Sequence, residues 1–335
     1  MGHNVRSIAQ AAGVSVATVS WVLNNSPSVS EKLRERVLAV IEQKNYLPNA
    51  GARSLCTRRQ EVIGVIFPQE MYSEFFPELI KGLEKAARHH GSNILLAGTD
   101  GKQKTVQKIA RSLFGKVDGL IFATPEIEDN VLDRVTSRVP NVWVNHVKED
   151  GSGTAVVTDN ICATRVMIDH LYEQGARKIV FINGPQDHYE ARERQRGVID
   201  ALKHHGLEPA MLLPGDFTEQ GGYLAGQELL RSGREFDAIF AANDVTAIGC
   251  MSAMNQVGLF APKDFLLAGF DCIPLSGYVT PRLTSMRVNV RQMGERAIHL
   301  LMEKIAGNLD DDFCESRHPE LVVRESTQKP TPYVK

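Results

Sequence analysis

The sequence has no apolar stretch long enough to cross a membrane, and its first residues lack a basic segment followed by an apolar one. A spanning helix needs about 20 consecutive apolar residues, and a secretory signal needs that basic-then-apolar order. We therefore expect a cytoplasmic protein that has no membrane partner. The length of 335 residues suits two or three domains with sizeable cores.

Cysteine is scarce and shows no pattern. The five cysteines are scattered, and no two of them form a C-x-x-C pair. Free thiols in a reducing cytosol therefore explain them better than a disulfide framework or a metal site. The sequence also lacks a G-x-S-x-G elbow and a Walker loop, so we expect no catalytic residues, no metal, no cofactor and no enzyme activity.

Charge is nearly balanced over the whole chain but not along it. The net charge is −2, yet residues 1–60 carry eight Lys or Arg against three Glu. A basic head on an acidic body suggests contact with phosphates at one end only. Sixty solvated residues can reach such a balance by chance, so the charge decides little alone.

The stretch near the N-terminus has the pattern of two short helices joined by a tight turn. Asn4 is a favourable N-cap, and Gly13 stands where a left-handed residue ends a helix. Ser15 can cap a second helix over Val16 to Asn24. This is the helix-turn-helix pattern, whose second helix enters the major groove of DNA.

A third helix is predicted by the apolar stripe from Leu33 to Ile41, with a capping box at Ser28 to Glu31. The segment from Ala50 to Cys56 has helical composition but is too short to be a stable helix alone in water. The polar residues that follow it are typical of a linker.

Two blocks of this stretch carry a specific resemblance. They are A-G-V-S-V-A-T-V-S at 12–20 and N-Y-L-P-N-A-G-A-R-S-L at 45–55. Both resemble, nearly position for position, the DNA-binding head of the lactose/galactose repressor (LacI/GalR) family of bacterial transcription regulators.

From Val62 onward, short apolar runs alternate with amphipathic helical patterns, and the alternation restarts near residue 155. Alternating strands and helices predict parallel sheets covered by helices on both faces. The fold class is therefore a small all-α helix-turn-helix head plus an α/β sensor of two doubly wound parallel-sheet lobes. The sensor resembles type I periplasmic binding proteins, which implies crossovers between the lobes.

The domain boundaries follow from the changes of pattern, and the role of each domain is what the resemblance implies. We expect a DNA-binding head at 1–48, a hinge helix and linker at 49–60, and an effector-binding and dimerisation domain at 61–330. Within that domain, the crossovers imply an N-lobe of about 61–157 and 288–317 and a C-lobe of about 158–287 and 318–330. Each head offers one short reading helix, so we expect a homodimer that contacts a palindrome. No leucine heptads follow the last strand, so we expect no tetramer through a C-terminal coiled coil.

The resemblance implies a set of DNA contacts. Val16 and Ala17 occupy positions that contact bases, and being apolar they can only touch methyl groups or exclude other groups. Trp21 stands where many members carry Arg, and its single indole donor cannot contact guanine bidentately; packing on the core of the head is the alternative. Leu55 corresponds to a leucine that wedges into a minor-groove step. The complete predicted set is Ser15, Val16, Ala17, Thr18, Ser20, Trp21, Asn24, Ser30, Tyr46, Asn49, Ala52 and Leu55.

The resemblance also implies an effector cleft between the lobes, because ligands bind beyond the carboxyl ends of parallel strands. Arg194 lies in an R-x-x-G motif, and Asn243 and Asp271 follow predicted strands; for Asn243 and Asp159, helix N-capping is an alternative that is compatible with binding. Phe75 and Phe76 can instead be core residues. The predicted effector set is Gln69, Phe75, Phe76, Asp159, Arg194, Phe217, Asn243 and Asp271.

The function that these features predict is a ligand-responsive repressor of a carbohydrate-use operon. Its partners would be double-stranded operator DNA, a small sugar or sugar derivative, and a second copy of the chain. A nucleoside or purine effector is the alternative, and a sugar-binding protein without a regulatory role is less favoured because a DNA-binding head is fused to the lobes.

Overall fold

The computed structural model describes residues 4–23, 26–46, 59–68, 75–100, 102–123, 138–148, 152–310 and 312–328. Contacts divide the chain into two compact units, 1–60 and 61–335. No helix among the described residues is both long and apolar enough to cross a membrane.

Three helices of the first unit are described: α1 (Val5–Ala12), α2 (Val16–Leu23) and α3 (Glu31–Gln43). Asn4 caps α1 through a capping box with Ser7, and Gly13 adopts the left-handed conformation with a φ of 64°, as predicted. The predicted capping box at Ser28 to Glu31 is wrong: α3 begins at Glu31, so Ser30 is its N-cap, and the Ser30 side chain makes no capping hydrogen bond.

A small apolar core holds the three helices together. Its buried members come from all three helices and from the loop before α3; they are Ile8, Ala9, Ala12, Val19, Val22, Val29 and Val37. So few side chains form a marginal core, and we expect this unit to be the less stable of the two.

The second unit contains two six-stranded sheets with the same strand arrangement. The first sheet has the order β11-β5-β4-β3-β1-β2 and the second has the order β12-β10-β9-β8-β6-β7. All pairs are parallel except β10 with β12. The strands are β1 (Val62–Pro68), β2 (Asn93–Thr99), β3 (Gly119–Phe122), β4 (Asn141–Val144), β5 (Thr154–Thr158), β6 (Ile179–Ile182), β7 (Met211–Leu213), β8 (Ala238–Ala241), β9 (Leu266–Asp271), β10 (Thr284–Arg287), β11 (Phe313–Arg317) and β12 (Glu320–Val322).

Seven α-helices of this unit are described. They are α4 (Phe75–His89), α5 (Gln103–Leu113), α6 (Asn160–Glu173), α7 (Tyr189–His204), α8 (Glu219–Ser232), α9 (Asp244–Gln256) and α10 (Val290–Ile305), with 3-10 turns at Pro274–Gly277 and Glu325–Thr327. The central strands are buried along their length, as expected for parallel sheets covered on both faces. The sequence pattern also predicts a helix over Ile127 to Val135, which lies outside the described residues.

The connections cross between the sheets, so that each lobe is assembled from separate parts of the chain. The helix α10 follows β10 of the second sheet but packs against α4 and β4 of the first lobe. The short strand β11 then joins the first sheet, and β12 joins the second. This arrangement is the doubly wound, two-lobed fold that the alternating pattern predicts.

Candidate functional site

The second helix of the first unit has a buried face and an exposed face. Val19 and Val22 are buried in the core, whereas the Trp21 side chain is 51% exposed and Val16 is 43% exposed. Ala17 is also exposed, one helical turn before Trp21. The alternative that Trp21 packs on the core of the head is therefore not supported, and Trp21 lies on the surface of the helix that would enter a groove.

The predicted phosphate contacts have different local roles. The Ser15 hydroxyl accepts from the Thr18 backbone N–H at 3.0 Å and lies 2.9 Å from the Thr18 hydroxyl, so both serve the start of α2. Ser20 lies on the same helix, half-buried, and Ser30 is exposed at the start of α3. Tyr46 packs against the core of the head. Four further predicted contacts, Asn24, Asn49, Ala52 and Leu55, lie outside the described residues.

In the second lobe, Arg194 is the centre of a buried polar cluster. Its side chain is in the second turn of α7, and the residue is 5% exposed. Its Nε donates to Asn160 Oδ1 at 2.9 Å, and its Nη1 donates to the carbonyl oxygen of Ala242 after β8. Its guanidinium carbon lies 3.7 Å from the centre of the Phe270 ring, a cation–π contact.

A glycine allows this arrangement. A Cβ on Gly197, in the R-x-x-G motif, would lie 2.0 Å from the Thr164 hydroxyl oxygen and 3.0 Å from Ile161 Cα. Only glycine therefore permits α7 to approach α6 so closely, and that approach brings Arg194 to Asn160 at the start of α6.

Asp271 faces Arg194 from the end of β9. Its Oδ1 lies 3.6 Å from Arg194 Nη2, and its side chain is 11% exposed. Burial raises the pKa of the Asp271 carboxyl, and the charge of Arg194 opposes that rise. The backbone of Asp271 has a φ of 94°, which is unusual for a residue with a Cβ and marks a strained position.

Phe217 is the second strained residue of the cluster, with a φ of 63°. Its backbone carbonyl accepts from Asn243 Nδ2 at 3.0 Å, which holds the turn in place. A Cβ on Gly184, after β6, would lie 2.2 Å from the Phe217 ring. The ring therefore lies over the glycine that follows β6, and its centre is 5.8 Å from the Arg194 guanidinium carbon.

Asn243 is the N-cap of α9, which confirms the predicted capping role. Its Oδ1 accepts from the Thr246 N–H at 2.9 Å, while its Nδ2 holds the Phe217 turn. The next residue, Asp244, is fully buried; it accepts from the Ser285 hydroxyl at 2.6 Å and from the Ile273 N–H at 2.8 Å. Burial raises the pKa of Asp244 well above its usual value, and the Ser285 hydrogen bond opposes the rise.

Glu190 is a cluster member that the sequence analysis missed. It lies in the first turn of α7, and its Oε2 is buried without a hydrogen-bond partner among the described residues. Burial raises the pKa of Glu190, and Arg194 opposes the rise. Asn183 Oδ1, just after β6, is likewise buried without a partner. A native structure seldom leaves such buried acceptors unpaired, so both oxygens are suited to accept hydrogen bonds from a bound molecule.

The remaining predicted effector residues lie elsewhere. Phe75 and Phe76 begin α4 of the first lobe, where their rings make an edge contact with centres 5.3 Å apart and pack against the main core. Asp159 caps α6 through the Cys162 N–H and also contacts His318. Gln69 lies outside the described residues. The structure thus brings together Arg194, Phe217, Asn243 and Asp271.

These four residues lie at the carboxyl edge of the second sheet. Asn243 and Asp271 lie at the ends of β8 and β9, and Gly184 lies at the end of β6, next to β8. The order β7-β6-β8-β9 reverses its direction of winding between β6 and β8, which is the point where doubly wound sheets bind ligands. The cluster combines buried donors, buried acceptors and an aromatic face, which suits a small polar molecule.

Comparisons with known proteins agree along the whole chain. Residues 4–49 match the family described as bacterial regulatory proteins, lacI family, and residues 168–327 match the periplasmic binding protein-like domain. The chain is 31% identical to the HTH-type transcriptional regulator GalR of Escherichia coli (strain K12), over 98% of this chain and 96% of that protein. It is also 31% identical to the ribose operon repressor of the same strain, over 90% of this chain and 92% of that protein.

A solved structure, the lac repressor dimer bound to operator and the anti-inducer ONPF, is similar with a TM-score of 0.91. The match covers 98% of this chain and 100% of that chain at 24% identity. At that identity the similarity concerns the fold.

Proposed function

Because this chain belongs to the LacI family of bacterial regulatory proteins, we propose that it is a transcription repressor whose operator affinity is changed by a small sugar-like effector. The first unit would bind the operator, and the second would bind the effector. One of its relatives is named the ribose operon repressor, which supports a sugar-related role for this chain.

The exposed face of α2 supports the DNA-binding part of the proposal. Val16, Ala17 and Trp21 are exposed there, while the opposite face holds the core. Trp21 offers one indole donor and a large apolar surface, whereas Arg could pair bidentately with guanine. We therefore propose that this chain prefers a different base at the position facing Trp21 than an Arg-bearing relative does.

The Arg194 cluster is the observation that carries the effector part. Arg194 supplies donors, Asp271 supplies acceptors, and Glu190 Oε2 is a buried acceptor in need of a donor. A polyhydroxylated molecule both donates and accepts at adjacent positions, so it can satisfy all three. The carboxylates of Asp271 and Glu190 outnumber the single guanidinium of Arg194 and would repel an anionic ligand. We therefore propose an effector that is uncharged rather than phosphorylated.

The edges of both sheets support a homodimer. The strands β2 and β7 are edge strands, and they expose Leu95, Leu96 and Leu212 by 41%, 42% and 42%. Exposed leucines on unpaired strand edges are unfavourable for a monomer because they invite association. In the cytoplasm, such a dimer would also present two copies of α2, one to each half of a palindromic operator.

The DNA-binding part can be tested by selecting duplexes from a random pool with the full chain. We expect an inverted repeat, with affinity that falls steeply as salt rises, because phosphate contacts release counterions. Recovery of sequences without symmetry, or of no preferred sequence, would contradict the proposal.

The effector part can be tested separately by calorimetric titration of neutral sugars, phosphosugars and nucleosides. We expect a neutral sugar to bind, and Asp271→Asn to weaken it by roughly 10-fold or more, since hydrogen bonds to charged groups contribute about 1.5–3 kcal/mol. Asp200→Asn is a matched control, because Asp200 is exposed on α7. Binding of a nucleoside instead would favour the purine-type alternative.

A further inference from the structure

Two connections between the lobes lie side by side near Asp159. Asp159 follows β5 of the first sheet and precedes α6, which packs with α7 in the second lobe. His318 lies in the short connection from β11 of the first sheet to β12 of the second. His318 Nδ1 is 3.0 Å from Asp159 Oδ2, so this contact joins the two connections.

A third side chain completes the group. Cys162 is in the first turn of α6, and its backbone N–H donates to Asp159 Oδ1 at 2.9 Å. This capping bond fixes Asp159 relative to Cys162 and uses one carboxylate oxygen, which leaves Oδ2 for a further partner. The Cys162 sulfur, a carboxylate oxygen of Asp159 and a ring nitrogen of His318 lie within 4.8 Å of one another.

We propose that Asp159, Cys162 and His318 form a binding site for a divalent transition metal of the zinc type. The site shares no residue with the Arg194 cluster, although Asp159 is next to Asn160, which Arg194 contacts. His318 is distant in sequence from Asp159 and Cys162. No ligand spacing in the sequence could therefore have predicted it.

The geometry suits a tetrahedral ion with one position left for water. At the bond lengths of about 2.0–2.3 Å that zinc makes to N, O and S, tetrahedral ligands lie about 3.3–3.8 Å apart. The His318 and Asp159 atoms at 3.0 Å are close to that separation, and an ion would replace the hydrogen shared between them. The third atom needs to approach by only about 1 Å, and His318 can turn because its side chain is 71% exposed.

The ligand set also selects the class of ion. A carboxylate and a thiolate balance the charge of a divalent cation, and a neutral imidazole adds none. The thiolate favours zinc-like ions over magnesium and calcium, which prefer sites made of oxygen atoms. A bound ion would tie together two of the connections between the lobes, and so oppose any change in their relative position.

Cobalt(II) titration of tag-free, reduced full-length protein tests the site, because a cobalt–thiolate bond gives a charge-transfer absorption band. We expect one cobalt per chain, with that band, and its displacement by zinc. Cys162→Ser should abolish the band. His318→Ala should weaken binding by at least about 100-fold, since even supporting residues of a metal site contribute 10- to 100-fold.

Matched controls separate the site from other cysteines and histidines. Cys314→Ser and His204→Ala change exposed residues outside the trio and should leave the band and the affinity unchanged. Asp159→Asn keeps an oxygen that can cap α6 but removes the carboxylate, so it should weaken cobalt binding while the circular dichroism spectrum stays the same. The proposal is overturned if no thiolate band forms, if the band survives in Cys162→Ser, or if Cys314→Ser removes it.

Discussion

Replacing Arg194 by alanine should destabilise the sensor unit as well as abolish its response. The change removes the bonds to Asn160 and Ala242 and strands the carboxylate of Asp271, 3.6 Å from the lost guanidinium. Breaking a buried ion pair by removing one partner costs about 3–5 kcal/mol. We therefore expect Arg194→Ala to lower the free energy of unfolding by about that amount.

This cost should depend on Asp271. In an Asp271→Asn background no charge is stranded at that position, so Arg194→Ala should cost less by about 1–3 kcal/mol, a coupling typical of residues in one network. Acidification should also partly rescue Arg194→Ala. Burial already raises the pKa of Asp271, and loss of Arg194 raises it further, so the penalty falls as the pH drops through that folded-state pKa.

Urea unfolding followed by circular dichroism, on the wild type, both single variants and the double variant, measures the coupling. Equal m-values across the four proteins would show that the same surface is exposed on unfolding. If the two substitutions are additive within about 0.5 kcal/mol, Arg194 and Asp271 do not act as a pair and the account of the cluster is wrong.

Three further predictions concern the head, the cluster and a buried histidine. Trp21→Arg should raise affinity for operators with guanine at the facing position by about 1–3 kcal/mol, with little effect on the melting temperature because Trp21 is exposed; an equal shift for all sequences would contradict a base contact. Glu190→Gln should raise the melting temperature of the ligand-free protein at pH 7, because burial raises the pKa of Glu190 and so penalises its charged form. The gain should vanish below pH 4.5, where the carboxyl is protonated in the folded and the unfolded protein, and Glu193→Gln is the control. Burial lowers the pKa of His170, so the unfolded chain binds the proton more readily and stability should fall as the pH drops below 6.5; His170→Gln should flatten that fall, as pH-dependent melting would show.

Much of the fold follows from periodicity in the sequence. The central strands β3, β6 and β8 are uninterrupted apolar runs in the sequence, so the alternating pattern predicts them. The strand β11 was missed because Phe313–Arg317 lies at a sheet edge and alternates half-buried with exposed residues, without an apolar run. Neighbouring strands, rather than local pattern, determine such an edge strand.

The candidate site was predictable only where a strand end or a motif marks it. Arg194, Asn243 and Asp271 follow from the R-x-x-G motif and from the ends of strands, and the structure brings them together. Glu190 lies neither in a motif nor at the end of a strand, and it is one of several charged residues at the start of α7. Its spacing of one helical turn before Arg194 is the signal that could have found it. The contact of Asp159 with His318 depends on chain crossovers that no local pattern encodes.

Effector binding should change the affinity of this repressor for its operator. The direct measurement is the operator dissociation constant of the full chain, at fixed salt, with and without a neutral sugar that binds it, together with the sugar affinity with and without operator. Both affinities should change by the same factor, because coupling between two sites is reciprocal, and Asp271→Asn should remove the change at the same sugar concentration. An operator affinity that is indifferent to every sugar that binds the protein would contradict it.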